Sequence, residues 1–231
     1  MIRPRPSNER GHADHGWLVS HHTFSFADYH DPAHMGFRSL RVINEDYVAA
    51  GTGFGTHPHR DMEILTWVLE GEVSHQDSMG NATVIRAGEV QVMSAGTGVM
   101  HSEHNRGKQR AHFLQIWIRP ERHGLTPGYS QRPVDLAAAK NRLQLVAGRP
   151  GTGAAVAIHQ DARLYAAELD PGASVEHALA PGRGAWVQVA RGEVRLGDLV
   201  LREGDGAAIE GEAKVALRAE RPAQVLVFDL A

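Results

Sequence analysis

Gly51-Thr-Gly-Phe-Gly-Thr-His57-Pro-His59, followed downstream by His101-Ser-Glu103, places three imidazoles and a carboxylate in two short stretches that read as strands. Along an extended strand successive side chains point to opposite faces, so residues two apart share one. His57 and His59 therefore point the same way, and so do His101 and Glu103. Neighbouring strands carrying these two pairs make a four-point site of three nitrogens and one oxygen, with positions left open for water or substrate. Imidazole with a single carboxylate and open positions suits Fe(II), Mn, Ni, Cu or Zn. A lone H-x-H in a chain with 15 histidines is ordinary surface composition. The second pair, in matching alternation, turns the pattern into a metal site.

The surrounding spacing is specific. Gly51, His57-x-His59, Glu63 and Gly71 are close to the first cupin motif, and Gly88, Gly96, His101 and Asn105 are close to the second. Longer stretches narrow the likeness: His21-His-Thr-Phe-Ser-Phe-Ala-Asp28, Met35-Gly-Phe-Arg-Ser-Leu-Arg-Val-Ile-Asn44, His57-Pro-His-Arg-Asp-Met-Glu-Ile64, Asp77-Ser-Met-Gly80 and Ser94-Ala-Gly-Thr-Gly-Val-Met-His-Ser-Glu103. They resemble the pirins, a branch of the cupin superfamily, from about residue 20 to residue 120, roughly half the chain.

The resemblance implies one divalent transition metal, Fe(II) first with Mn, Ni, Cu or Zn as alternatives, held by His57, His59, His101 and Glu103. Many cupins use instead the glutamate of the first motif, here Glu63. It keeps even parity with both histidines, so alternation alone does not exclude it. The resemblance decides for Glu103 and leaves Glu63 to orient an imidazole N–H. Pirins include proteins with quercetin 2,3-dioxygenase activity. The implied function is therefore a metal-dependent oxidoreductase that uses O2 to open the central ring of a flavonol such as quercetin, releasing carbon monoxide. Glu103 would double as acceptor of the substrate's 3-hydroxyl proton. Other pirins are regulatory or redox-sensing proteins that act through protein partners, and this is the alternative the resemblance carries.

Composition bounds the rest. A chain of 231 residues, 42% apolar and 22% charged, is an ordinary globular sequence long enough for two small domains. Its net charge of −3 offers no basic footprint for nucleic acid. The absence of cysteine excludes disulfides, thiolate ligands and a cysteine nucleophile. Residues 1–16 are polar with both charge signs, and no apolar run is long enough to span a bilayer, so the expected location is the cytoplasm.

Short apolar runs separated by Gly, Pro, Asn and Asp dominate. Residues 40–43, 64–69, 83–85, 90–93 and 112–118 read as strands, and residues 134–141 as one short helix. The second half echoes the first: Leu69-Glu-Gly-Glu-Val73 matches Ala190-Arg-Gly-Glu-Val194, and Arg86-Ala-Gly-Glu-Val90 matches Arg202-Glu-Gly-Asp-Gly206. The fold class expected is all-β, a bicupin of two tandem β-barrel or sandwich domains. Residues 1–130 form the metal-binding one, and residues 131–231 a copy that has lost its ligands and keeps only His177 at the corresponding place. His21, His22, His30 and His34 read as surface or turn residues, with the site entrance as the alternative, and Phe24, Phe26, Phe37 and Phe54 as core, Phe54 lying near enough to the ligands to be substrate wall as well. Arg60-Asp61 reads as a local ion pair or a loop cap, and His75, Asp77 and His104 as motif residues with no assigned chemistry.

Overall fold

Alternating apolar runs cut by glycine turns fold into strands throughout, as a computed structural model describing residues 1–231 shows. The first half carries β1 (Ile2–Arg5), β2 (Gly11–Asp14), β3 (Leu18–His22), β4 (Leu40–Val48), β5 (Gly53–His59), β6 (Glu63–Glu70), β7 (Glu72–Asp77), β8 (Ala82–Arg86), β9 (Glu89–Ser94), β10 (Val99–His104), β11 (Ala111–Ile118) and β12 (Gly128–Pro133). The second carries β13 (Gln144–Gly148), β14 (Val156–Ala157), β15 (Ala162–Leu169), β16 (Ser174–Ala178), β17 (Gly184–Arg191), β18 (Glu193–Leu196), β19 (Leu199–Arg202), β20 (Gly206–Glu210), β21 (Lys214–Ala219) and β22 (Ala223–Leu230). All five expected strands fall inside observed ones.

The only helical element is a single 3-10 turn at Ser7–Glu9. The helix expected at residues 134–141 does not form; the segment is a run of turns. Asp135 Oδ1 accepts the Ala138 N–H, and Asn141 sits at φ 61°, in the left-handed region. A stretch this short does not offset the cost of helix nucleation, and a side-chain acceptor offers its backbone an alternative. No helix is long and apolar enough to cross a membrane.

The chain forms two compact units. The first comprises Gly11–Val134 with Ala155–Gln160, the second Met1–Arg10, Asp135–Ala154 and Asp161–Ala231. This differs from a cut at residue 130. The N-terminal strand β1 pairs antiparallel with β20, Ile2 opposite Ile209 and Arg5 opposite Gly206, so it closes an edge of the second unit that would otherwise expose unpaired amides. Ala155–Gln160 joins the first unit, where the His159 carbonyl accepts from Glu121 and the His159 N–H donates to Glu63.

Each unit is a sandwich of a large and a small antiparallel sheet. The first unit orders its sheets β12-β9-β6-β11-β4-β3-β2 and β5-β10-β7-β8. The second repeats the pattern with β1-β20-β17-β22-β15-β13 and β16-β21-β18-β19. Leu18, Val48, Val68, Val73, Ile85 and Phe113 pack between the sheets of the first, while Val187, Val189, Val194, Leu217 and Val225 belong to the core of the second. The echo noticed in the sequence marks equivalent corners. Gly71 (φ 72°) turns β6 into β7, and Gly192 (φ 79°) turns β17 into β18. A Cβ at Gly192 would stand 1.9 Å from the Pro222 carbonyl oxygen, so both the dihedral and the close approach require glycine.

Candidate metal centre

β5 and β10 are hydrogen-bonded neighbours in the small sheet of the first unit, with His57 opposite His101 and His59 opposite Val99. The rings of His57, His59 and His101 gather with centroids 4.4 to 4.8 Å apart, and one ligand nitrogen from each lies within 4.8 Å of the others. A bulge breaks the register beyond this pair: Glu103 stands opposite Phe54, so β5 uses three residues where β10 uses two. That extra residue brings Phe54 and His57 to the same cavity despite their odd separation. The bulge also orients a ring, because the Gly55 carbonyl accepts from His57 Nδ1 at 2.8 Å and leaves Nε2 for the site.

His101 is buried, and its Nε2 has no hydrogen-bond partner. An orphaned ring nitrogen facing two other imidazoles is what a ligand set looks like when it is built for an ion. Electrostatics agree with that fit. Burial, reinforced by its neighbour His57, lowers His59 to about 4. Burial, with His57, His59 and His75 adding and Asp77 opposing, lowers His101 to about 2. Both rings are therefore neutral at physiological pH, the form that donates a lone pair.

Glu103 is buried on the same face of β10 as His101 and groups with His101 and His75, thus sharing His101 with the first triad. Gln115 Nε2 donates to its Oε2 at 2.8 Å and Thr66 Oγ1 to its Oε1 at 3.4 Å. Burial raises its carboxyl, with His75, Gln115 and His57 among the groups pulling it down. Glu63 goes elsewhere. It accepts from Ser94 Oγ at 2.8 Å and from the His159 N–H at 3.2 Å, and it orients none of the three imidazoles. Sequence parity along β5 and β6 did not reveal this because the turn between them changes sheets.

A cavity of about 740 Å³ opens beside the site. Trp17, Phe26, Phe54 and Trp117 line it with His57, His59 and Glu103. Trp17 meets Phe54 edge-on at 5.2 Å, and Trp117 meets both Phe26 (5.3 Å) and His59 (4.9 Å) edge-on. Phe26, expected as core, is thus a wall, and Phe54 is both wall and core, packing against the inter-sheet cluster; Phe24 and Phe37 are buried. His22 also lines the cavity, whereas His21 stacks on His12 and His34 pairs with Asp31. Arg60 and Asp61 do form the local pair, at 3.6 Å.

Comparison with known proteins matches residues 4–118 to the Pirin family and residues 145–230 to the quercetinase C-terminal cupin domain. The chain is 51% identical over 231 residues to a quercetin 2,3-dioxygenase of Escherichia coli K12, covering 100% of this chain and 99% of that protein. The chain belongs to the pirin family. A pirin-like protein of Caulobacter vibrioides is 39% identical over the full length of both chains. The crystal structure of E. coli YhhW superposes with a TM-score of 0.96 at 50% identity, covering 100% of this chain and 98% of that one. The bacterial pirin YhhW in complex with nickel(II) gives 0.95 at 50% identity, covering 100% and 99%.

In this pirin a hydrogen-bonded chain runs behind His101. His75 Nε2 lies 2.9 Å from Asp77 Oδ2, and His75 Nδ1 lies 3.5 Å from His101 Nδ1. A carboxylate accepts only, so His75 carries its proton on Nε2 and presents Nδ1 as an acceptor. His101 then donates from Nδ1, which leaves the Nε2 lone pair toward His57 and His59. Against burial, the bonds from His75 and Asn81 hold the Asp77 carboxyl below its usual range. His75-Gln-Asp77 shows the same one-face alternation as the H-x-H, so the signal was present in the sequence, but its target on β10 was not. Two-bond 1H–15N correlation on metal-free protein should find His101 protonated at Nδ1 and His75 at Nε2. His75→Gln should loosen that tautomer and weaken metal binding roughly 10- to 100-fold, the usual cost of losing an outer partner. A His101 protonated at Nε2 in the unaltered protein contradicts the chain.

Neutral histidines, one buried and one partly buried, also set a pH dependence for this pirin. In the unfolded chain the rings titrate near 6.5, while folded His59 and His101 stay neutral down to about 4 and about 2. Below pH 6.5 the unfolded state takes up protons first, so stability is full above that value and falls as the pH drops toward 4. Denaturation of chelator-treated protein at about pH 7 and about pH 5 should show the decline, and His101→Gln should flatten it. Equal slopes in both proteins would count against the depressed ring.

The second unit places different chemistry on the equivalent strands. β16 and β21 pair His177 with Val215 and Val175 with Leu217, so His177 shares its face with buried apolar side chains and no second imidazole. His177 Nε2 is held at 2.8 Å by buried Asp229, which also accepts from Arg183.

Proposed function

We propose that this pirin is a metal-dependent dioxygenase that opens the central ring of a flavonol such as quercetin, with His57, His59, His101 and Glu103 holding one divalent ion. One observation carries the reading: three imidazoles, one with an orphaned Nε2, gather beside a buried carboxylate that shares His101 with them, next to an aromatic-walled cavity. The volume of about 740 Å³ falls in the range of small-molecule sites. Bound Fe(II), or Mn, Ni or Cu in its place, would supply Lewis acidity toward an ionised hydroxyl and an electron path to O2, whereas Zn, which has no redox chemistry, would supply the Lewis acidity alone.

The chain's own groups do the rest. Trp17, Phe26, Phe54 and Trp117 offer flat apolar surface to a planar ring system and keep bulk water from it. Glu103, supported from behind by Gln115 and Thr66, holds the proton leaving the substrate's 3-hydroxyl. Gln115 and Thr66 stand opposite each other on β11 and β6, so the sheet itself fixes where that carboxylate sits. Support comes also from the E. coli relative named quercetin 2,3-dioxygenase and from the nickel(II) complex of its structural neighbour. The test is oxygen uptake and carbon monoxide release with quercetin after loading with Fe(II), Mn, Ni and Cu in turn. Failure to turn over any flavonol with any of these ions removes the proposal.

A further inference from the structure

A transverse row of buried polar side chains crosses the large sheet of the first unit. His22, Asn44, Gln115, Thr66 and Gln91 are successive cross-strand partners on β3, β4, β11, β6 and β9. Paired residues share a face, so this row lies on one side of the sheet where a sandwich ordinarily buries apolar groups. Gln115 and Thr66 are accounted for by Glu103. The next row holds Ser20 opposite Asp46, with Phe113 beyond.

Asp46 is 4% exposed and lines the cavity together with Ser20 and Asn44. Its Oδ1 accepts from Ser20 Oγ, which leaves Oδ2 to serve the cavity. No Lys or Arg lines the cavity. Burial pushes the carboxyl up to about 7, the Ser20 bond opposing and the charges of Glu103 and Glu45 adding. Buried Asn44 Oδ1 and Trp117 Nε1, both on lining residues, have no partner. Buried polar groups without partners are costly, and a carboxylate left half-satisfied against an apolar cavity is costlier still. A ligand that brings hydroxyl donors relieves that cost; an apolar ligand does not.

We propose that Asp46, steadied by Ser20, is an anchoring acceptor for a phenolic hydroxyl, so that the cavity selects polyhydroxylated planar aromatics over those carrying only the hydroxyl that meets the metal. Asn44 extends the same polar corner. This rests on the reading of the cavity as a flavonol site. It explains why a largely apolar cavity keeps Asp46 on its wall with no Lys or Arg beside it, and it separates two jobs: Glu103 serves the reacting hydroxyl, Asp46 a remote one.

The experiment is anaerobic titration of metal-loaded protein with quercetin and with 3-hydroxyflavone, followed by turnover of each in air. At about pH 8 or above, where the Asp46 carboxyl is ionised, Asp46→Asn keeps the shape and removes the charge. It should reduce affinity for quercetin about 10- to 100-fold more than affinity for 3-hydroxyflavone, as loss of a buried charge-assisted bond does. Ser20→Ala, which leaves the carboxylate but not its support, should shift the ratio the same way by less, and it keeps the test open if Asp46→Asn folds poorly. Equal loss for both ligands, or none, overturns the anchor, as does wild-type protein that binds 3-hydroxyflavone as tightly as quercetin. The two readings fail separately. Selective loss of quercetin binding without turnover upholds the anchor and removes the dioxygenase, whereas normal turnover with unchanged selectivity in Asp46→Asn does the reverse.

Discussion

Alanine in place of His57, His59 or His101 is expected to strip the protein of its metal while leaving the β fold intact. The three rings stand on β5 and β10 with their nitrogens turned to one another, and the inter-sheet core rests on Leu18, Val48, Val68, Val73, Ile85 and Phe113 instead. Each ring lost removes a donor outright, so the fall in affinity should exceed the roughly 10- to 100-fold cost of an outer partner. Metal content per chain after dialysis, with far-ultraviolet circular dichroism as the fold control, reads both halves of the claim. Metal retained at about one ion per chain in all three variants means that the ion sits elsewhere. A second ion bound near His177 would contradict the view that the second unit replaced ligands with an apolar interior and the Asp229 ion pairs.

Glu103→Gln separates holding the ion from taking a proton. The amide keeps an oxygen donor and loses the charge. At equal metal occupancy, turnover should drop by roughly 10²- to 10⁴-fold if the carboxylate also accepts the flavonol proton, the usual worth of a general base. Raising the pH so that the flavonol arrives ionised should then restore part of the rate. A missing ligand gains nothing from that change. Because Gln115 and Thr66 both donate toward position 103, the variant also loses a charge-assisted pair, and thermal midpoints must be compared alongside the rates. Full activity at equal occupancy rules out the proton role and leaves Glu103 a ligand alone.

Much of this protein was readable along the chain. Strand alternation placed His57 with His59 and His101 with Glu103 without any tertiary information, because a side-chain period of two is a local property of extended backbone. The glycine corners at Gly71 and Gly192 announced the internal repeat for the same reason, since a positive φ is required wherever such a turn is made. The division into units was less legible: β1 joins β20 across almost the whole chain length, and no local pattern encodes which sheet edge a terminal strand will close. The turns at residues 134–141 read as helix because three alanines carry helical propensity, and the competing Asp135 bond is invisible in a propensity sum.

The sequence by itself determined the all-β class, the repeat, and a set of imidazoles and carboxylates suited to a metal. Tertiary structure decided which of those groups meet. It turned Glu63 away to Ser94 and His159, and it set His75 and Asp77 behind His101. It aligned Asn44, Gln115 and Thr66 in one row, and it opened Asp46 to the cavity. The physical reason is register. Parity fixes which face a side chain takes on its own strand, but its neighbours come from distant strands, whose alignment is set by bulges, turns and the packing of both sheets together.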